Sequence, residues 1–443
     1  MPDLNSSMVI PFLVFEPGIS RRSNHQSRPG TSRISDLAIT LKLKGNINLK
    51  ITDLKVAIIG GAPVVRITTD EGIDGIGSGE SWKPFLKPHV EFYRDKIIGL
   101  DPTDVERVMI GVRRWGGFKP WGTAVSAIEM ALWDIAGKSA GLPVYKLLGG
   151  KIRDRVMVYN GSVRFEMKGK EPEHYAANMQ KMKDHPYNFR IIKQAVSFHG
   201  GMQNVEDFYY GTPVSTMRYP NRGVITAKGF KYMMARIEAM LDVLGDDVGL
   251  ALDCGPGMTV QDALKLGKEL EGSNIMWLED MITGDYTPWV LADLYTQVTP
   301  YTSTPIHTGE QIYLRQNFVE LIERNAVNVL GPDVADVGGI AEMKFIAEYA
   351  DLHGIQFAPH GIFDGLIGLA AQVHLAAVLP DNFIAFELPK ADPEWWFDIM
   401  EGETFPVEDS QIQVADSPGL GVSFIAEEAK KYLRGEDADF FDD

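Results

Sequence analysis

The sequence predicts an α/β barrel preceded by a smaller α+β domain, on three observations. Short apolar runs ending in polar residues recur from Val156 onward, helix-like segments separate them, and no glycine-rich phosphate turn follows the first. The runs are Val156 to Tyr159, Phe189 to Val196, Val248 to Asp253, Ile275 to Glu279, Pro305 to Glu310, Val327 to Asp333, Ile355 to His360 and Phe383 to Glu387. Eight such units suit a closed barrel better than an open doubly wound sheet. With 443 residues, the chain has room for a barrel of about 250 residues and one smaller companion.

Taken in order, residues 1 to about 48 hold polar stretches such as Ser20-Arg21-Arg22-Ser23-Asn24-His25-Gln26 and no sustained periodicity, so they read as an N-terminal extension. From Ile51, β-like runs (Leu54 to Ile59, Val64 to Thr68) broken by Gly60-Gly61 and Asp70-Glu71-Gly72 predict a small antiparallel sheet. The glycine-rich Gly75-Ile76-Gly77-Ser78-Gly79 lacks the strand–loop–helix setting of a phosphate loop and reads as a turn of that sheet. Ala124 to Ser139 carries a helical stripe through Val125, Ile128, Ala131, Leu132 and Ile135, stopped by Gly141-Leu142-Pro143. Between the barrel strands, Thr259-Val260-Gln261-Asp262 is a helix-capping signal, and another helix starts near Ile340 and stops at Gly354.

Composition narrows the function classes. The chain is 45% apolar and 23% charged, and no apolar run reaches the roughly 18 residues of a membrane span. The lone Cys254 excludes an intramolecular disulfide, and the first residues lack a secretory layout, so a reducing cytoplasm is expected. A net charge of −17 repels nucleic acid, so an anionic ligand would need a local positive centre. Cys254 reads as a packing residue rather than a nucleophile.

Chemistry-bearing residues stand near the C-terminal ends of successive barrel strands: Lys193, Asp253, Glu279, Glu310, Asp333 with His360 after it, and Glu387. From Asp253 onward they are 23 to 31 residues apart, about one strand–helix unit each, and a barrel brings such ends to one cavity. Carboxylates gathered there repel one another unless a cation neutralises them. Hard oxygen donors with room left for substrate suit Mg2+ better than zinc.

These residues and their settings resemble the mandelate racemase subgroup of the enolase superfamily, from about Lys50 to the C-terminus. The resemblance rests on Leu250-Ala251-Leu252-Asp253, Trp277-Leu278-Glu279-Asp280, Thr308-Gly309-Glu310, Pro332-Asp333 with Gly338-Gly339, and Pro359-His360. It implies a modified (β/α)7β TIM-like barrel over 156–399, with an α+β capping domain over 49–155 to which 400–443 returns. It also implies that Asp253, Glu279 and Glu310 hold one Mg2+, that His360 and Asp333 form a proton-transfer dyad, and that Glu387 lies near the substrate carboxylate. Such a site suits the reaction. A proton beside a carboxylate is too weakly acidic for a side-chain base unless the ene-diolate is stabilised, and sites of this superfamily meet that need by combining a Lys or His base with Mg2+.

One departure is informative. Many relatives carry Lys-x-Lys on the second barrel strand, whereas this chain reads Lys193-Gln194-Ala195. Residues two apart share a strand face, so Ala195 occupies the second Lys position and cannot move a proton. A two-base racemase is therefore disfavoured, and Lys193 is left to neutralise the substrate carboxylate or a metal ligand, or in a shifted geometry to serve as the base, with His360 preferred as the principal acid and base. Tyr159 and Asn160, at the first strand end, are candidate substrate contacts. So are Arg113 and Trp115, read with Arg114 as part of a capping loop before Gly116-Gly117. The insertion from His199 to Gly223, with Tyr209-Tyr210 and Arg218-Tyr219, shapes either the pocket or a subunit contact.

The expected activity is Mg2+-dependent dehydration of an aldonate or aldarate to a 2-keto-3-deoxy acid, by a homo-oligomer acting on a small sugar acid, without nucleic-acid or membrane partners. An epimerase, racemase or cycloisomerase would use the same ene-diolate. A sugar-acid-binding protein that has lost turnover is the alternative from another class.

Overall fold

Three antiparallel strands open the fold: β1 (Ile51–Ile59), β2 (Ala62–Thr69) and β3 (Asp74–Ser78), in that order. The computed structural model describes residues 49–81, 83–115, 122–210, 223–282, 291–361, 365–390 and 394–442. The N-terminal extension, Gly116-Gly117 and Arg218-Tyr219 lie outside these residues. Helix Gly122–Ala140 packs on the sheet, and helix Val105–Trp115 packs on that helix. Val105, Val108, Met109 and Val112, at helical spacing, meet Ile128, Leu132 and Ile135 and the sheet residues Leu54, Val65 and Ile67 in one buried cluster.

The glycine-rich run is not a turn but the third strand, with Gly77 opposite Val65 and Gly75 opposite Ile67. Its composition has a packing cause. A Cβ on Gly75 would overlap the Ala131 carbonyl, and one on Gly77 the Ala127 carbonyl, so bare strand backbone lets the helix lie directly on it.

The chain's end also reaches this sheet. Lys55 Nζ donates to the Asp439 and Asp442 carbonyls at 2.8 Å each, and the Ile58 amide donates to Asp437 Oδ2 at 2.9 Å.

The barrel strands are β4 (Arg155–Tyr159), β5 (Ile191–Ala195), β6 (Gly249–Asp253), β7 (Ile275–Glu279), β8 (Ile306–Thr308), β9 (Val329–Leu330), β10 (Gln356–Phe357) and β11 (Phe386–Glu387). From β5 to β10 each pairs in parallel with the next. The ring is completed by Asn160 bridging Ile192, Phe357 bridging Phe383, and β11 pairing in parallel with β4.

Helices Pro172–Lys183, Ala227–Leu244, Val260–Glu269, Ala292–Tyr295, Val319–Glu323, Ile340–Leu352 and Gly365–Ala376 fill the seven crossovers. Among the described residues, β11 is followed by a 3-10 turn and short strands rather than an eighth helix, which makes the barrel (β/α)7β. The capping signal works as expected: Thr259 Oγ1 accepts from the Asp262 amide at 3.1 Å. Gln411–Gln413, in the segment after β11, pairs antiparallel with β4. With helix Gly365–Ala376, that segment encloses a cavity of about 490 Å³ walled by Leu366, Leu369, Leu388, Phe397 and Phe405. None of the site carboxylates lines it. No described helix is long and apolar enough to cross a membrane.

The wholly buried helix Gly365–Ala376 carries His374, whose ring stacks on Tyr145 and whose Nε2 lies 3.3 Å from the Leu420 carbonyl. Burial pulls its pKa down to about 4. Between pH 6.5 and 4 the unfolded chain then binds a proton that the folded chain does not, so this contribution to stability is complete above 6.5 and is lost as pH falls. His374→Phe is expected to remove a share of the acid destabilisation on the order of 3 kcal/mol, read from urea unfolding of both proteins at pH 7.5 and 4.5.

Candidate active site

Tyr159, Ile191, Ala251, Trp277, Val329, Ala358 and Ala385 pack together as an apolar floor inside the barrel. Polar side chains stand at and above this level because strand residues alternate between the inside and the outer helices. In register, Lys193 lies beside Ala251, while Ala195, Asp253 and Glu279 lie side by side one step further along their strands. Lys193 therefore starts a layer below the carboxylates and reaches up to them. Its Nζ is 3.0 Å from Glu279 Oε1 and 3.0 Å from Glu387 Oε2, with all three side chains buried.

His360 lies across this cluster. Its Nδ1 is 2.7 Å from Asp333 Oδ2, and its Nε2 faces Glu310 Oε1 at 3.2 Å and Glu387 Oε2 at 3.4 Å. One ring nitrogen is thus held by the dyad partner while the other points among the carboxylates. Burial alone would lower the imidazole pKa, but Glu387 and Asp333 outweigh it and leave the pKa raised. Burial would likewise lower the Lys193 pKa, yet Glu279 and Glu387 hold it well above the ordinary value, so the ammonium stays charged. Burial would raise the Glu279 pKa, and Lys193 together with His307 and His360 outweighs that and leaves it lowered, an anion. Asp333 is pushed up by its own burial.

The carboxylate oxygens lying within 4.8 Å of one another are those of Glu279, Asp280 and Glu310, all buried. Asp253 is beside Glu279 in register, and its Oδ1 meets His199 Nδ1 at 2.7 Å and the Gly255 amide at 3.2 Å. Asp280 Oδ1 accepts from Thr308 Oγ1. Trp277 Nε1 donates to Glu279 Oε2 at 2.9 Å, and the His307 ring stacks on Trp277, 3.8 Å from the same oxygen. This donor set fits a hard divalent cation: the buried carboxylates of Glu279, Asp280 and Glu310 offer oxygens close enough to share one ion, and Glu387 Oε1 has no hydrogen-bond partner among the described residues.

Lys193, Glu279, Glu310, Asp333, His360 and Glu387 are thus brought together and Asp253 stands beside Glu279, although Asp280 rather than Asp253 completes the close carboxylate group. Of the residues named as substrate contacts, Tyr159 reaches the site while Arg113, Trp115 and Asn160 are engaged elsewhere. Arg113 and Trp115 form the last turn of helix Val105–Trp115 rather than a loop, because the apolar face of that helix continues through Val112. The Arg113 guanidinium is engaged by Glu106 at 3.1 Å and Glu342 at 3.3 Å, and Trp115 lies under Lys96 on the surface. Asn160 is spent on its own loop, exchanging hydrogen bonds with both the amide and the carbonyl of Val163. Tyr159 belongs to the floor, edge-on to Trp277, with its hydroxyl 3.2 Å from the Pro359 carbonyl and 3.5 Å from Glu387 Oε2. Cys254 is buried, which pushes its thiol pKa well up, as befits a packing residue.

Sequence reasoning missed His199 beside Asp253 and the support that Trp277 gives Glu279. The second was available, since residues two apart share a strand face. The first was not, because it depends on how the loop after β5 folds back.

Two family descriptions match the chain: "Mandelate racemase / muconate lactonizing enzyme, N-terminal domain" over residues 57–149, and "Enolase C-terminal domain-like" over 179–429. The chain is 31% identical to a D-mannonate dehydratase of Caulobacter vibrioides, over 87% of this chain and 95% of that one. It is 29% identical to a D-xylonate dehydratase of Haloferax volcanii, over 87% and 89% of the two chains. It superimposes with a TM-score of 0.74 on a mandelate racemase/muconate lactonizing enzyme-like protein of Rubrobacter xylanophilus, at 30% identity over 87% and 98% of the two chains. With the barrel, the capping sheet and the strand-end carboxylates all in place, this chain belongs to the mandelate racemase/muconate lactonizing enzyme group of the enolase superfamily.

Proposed function

We propose that the chain is a hydro-lyase that dehydrates a sugar acid, using His360 as both base and acid. The observation that carries this reading is the His360 ring, anchored by Asp333 through Nδ1 and presenting Nε2 to the Glu310 and Glu387 carboxylates, while Ala195 leaves its place on the β5 face without a base. His360 Nε2 takes the proton from C2 of the substrate. The C2–H electron pair moves into the carboxylate and returns as the C3 hydroxyl leaves. His360 gives its proton to that oxygen, so water departs and an enol remains, which becomes the 2-keto-3-deoxy acid on taking a proton at C3. Asp333 holds the ring in orientation and stabilises its protonated form.

Lys193 and Glu387 border the carboxylate group, and because Glu279 and Glu387 already pair with the Lys193 ammonium, the positive centre that an acidic chain needs to receive an anion would come from Lys193 together with a bound cation. We assign one Mg2+ to Asp253, Glu279 and Glu310, with Asp280 as a neighbour. Bound there, the ion would offset the charge that builds on the substrate carboxylate when C2 loses its proton.

The relatives named for D-mannonate and D-xylonate support an aldonate as substrate. The rest of the reading is a cytoplasmic homo-oligomer, divided into a capping domain over 49–155 with 400–443 and a barrel over 156–399. The test is a panel of aldonic and aldaric acids incubated with purified protein and Mg2+, with keto-acid product detected by a carbonyl reagent. A hit that chelator abolishes supports the reading. Tight binding of several acids without any product would favour a binding protein instead.

A further inference from the structure

We propose that Glu129, on the capping helix Gly122–Ala140, is a positioning residue for proton transfer that holds the barrel loop carrying Asp333 from outside the barrel. The inference rests on the dyad role proposed for Asp333 and adds a residue to it.

Asp333 begins a tight turn. Its Oδ1 accepts from the Ala335 amide at 2.6 Å, and its carbonyl accepts from the Asp336 and Val337 amides at 3.1 and 2.7 Å. The far end of that turn is held by the capping helix. Glu129 Oε2 accepts from the Ile340 amide at 2.7 Å, Glu129 Oε1 accepts from the Ala341 amide at 2.8 Å, and Ser126 Oγ accepts from the Gly338 amide at 2.9 Å. Ile340 and Ala341 open helix Ile340–Leu352, so Glu129 supplies acceptors that the first turn of that helix lacks internally and sits where the helix dipole favours an anion.

The fit is close. Glu129 is wholly buried and is steadied by Trp133 Nε1 at 2.7 Å. Gly339 adopts φ 101°, and a Cβ there would overlap the Glu129 carboxylate. The Glu310 loop is tied to the same turn, since the Leu314 amide donates to the Val337 carbonyl at 2.7 Å. One carboxylate from the capping domain therefore fixes the segment that sets both Asp333 and the loop following Glu310. Loosening it displaces the dyad without touching substrate.

The same helix provides a control. Asp134 is also wholly buried and also accepts two backbone amides, from Ile76 at 3.1 Å and Leu420 at 2.9 Å, neither of them in the Asp333 turn. Glu129→Gln turns one acceptor into a donor facing an amide, whereas Asp134→Asn does so away from the site while also weakening the Lys138 ion pair, which makes it the harsher change of the two. The gentler Ser126→Ala removes the hydroxyl that holds the Gly338 amide and leaves Glu129 in place.

The experiment compares kcat and KM on the sugar acid found by the panel, thermal midpoints, and backbone amide exchange measured without substrate. Glu129→Gln is expected to lower kcat about 10- to 100-fold with KM within about twofold, as small misplacements of reacting groups do. Ser126→Ala should lower kcat about threefold, on the same cause acting through the Gly338 amide. Amides of Val337, Ile340 and Ala341 should exchange faster in Glu129→Gln and not in Asp134→Asn. The proposal is overturned if exchange at these amides is unchanged, or if Asp134→Asn lowers kcat as much as Glu129→Gln at equal loss of midpoint. If the wild-type protein turns over no sugar acid, the dehydratase reading falls, and exchange alone decides whether Glu129 holds the segment.

Discussion

His360→Asn is expected to lower kcat for dehydration by about three orders of magnitude, the range lost when one residue serves as both general base and general acid. The amide keeps a polar group at similar reach of Asp333 but cannot accept a proton from carbon. Substrate binding, carried by Lys193 and the metal site, should change far less, so the loss should appear in kcat rather than KM. The wild-type pH profile gives a second reading of the same residue. His360 must be neutral to act as base, and Glu387 and Asp333 raise its pKa against the lowering effect of burial. The acid limb of kcat/KM is therefore expected to report the His360 imidazole, and it should vanish in the variant. Steady-state kinetics between pH 5 and 9 on both proteins checks both statements.

Glu279→Gln should have the second-largest effect and a different signature. Glu279 is the carboxylate at which the assigned metal site, Lys193 and Trp277 Nε1 converge. Neutralising it removes a ligand and leaves the buried Lys193 ammonium with Glu387 as its remaining close partner. Mg2+ affinity is expected to fall more than about 100-fold, beyond the loss typical of residues that only orient ligands. Stability should fall by about 3 kcal/mol or more, because a buried charge loses half its compensation. Titration calorimetry with Mg2+ and a thermal melt read the two effects separately. The same titration sorts Asp253 from Asp280: Asp253→Asn should weaken Mg2+ as Glu279→Gln does, while Asp280→Asn, whose carboxylate is engaged by Thr308, should leave affinity within about tenfold.

Much of this site was legible in the sequence because a barrel turns spacing into proximity. Each strand–helix unit delivers one strand end to the same rim, so Asp253, Glu279, Glu310, Asp333, His360 and Glu387 could be gathered without coordinates. Loops and domain contacts have no comparable period. Arg113 and Trp115 looked available because Gly116-Gly117 follows them, yet the helix runs through both and Arg113 turns to Glu342 on a barrel helix. The Gly75–Gly79 run looked like a turn, although Gly75 and Gly77 serve close helix packing, which depends on a helix some 50 residues later in the chain. Glu129 shows the same limit: its sequence setting says only that it belongs to a helix, and the fold alone puts it at the first turn of Ile340–Leu352.

The measurement that tests the central claim most directly is the reaction of the active sugar acid in D2O, with substrate and product examined by NMR and mass spectrometry. Proton removal at C2 followed by loss of the C3 hydroxyl predicts a 2-keto-3-deoxy product, lighter by one water, with a single deuterium at C3 and none at C2 of recovered substrate. Deuterium at C2 of an acid of unchanged composition, without keto-acid product, would contradict the dehydratase account and make the chain an epimerase.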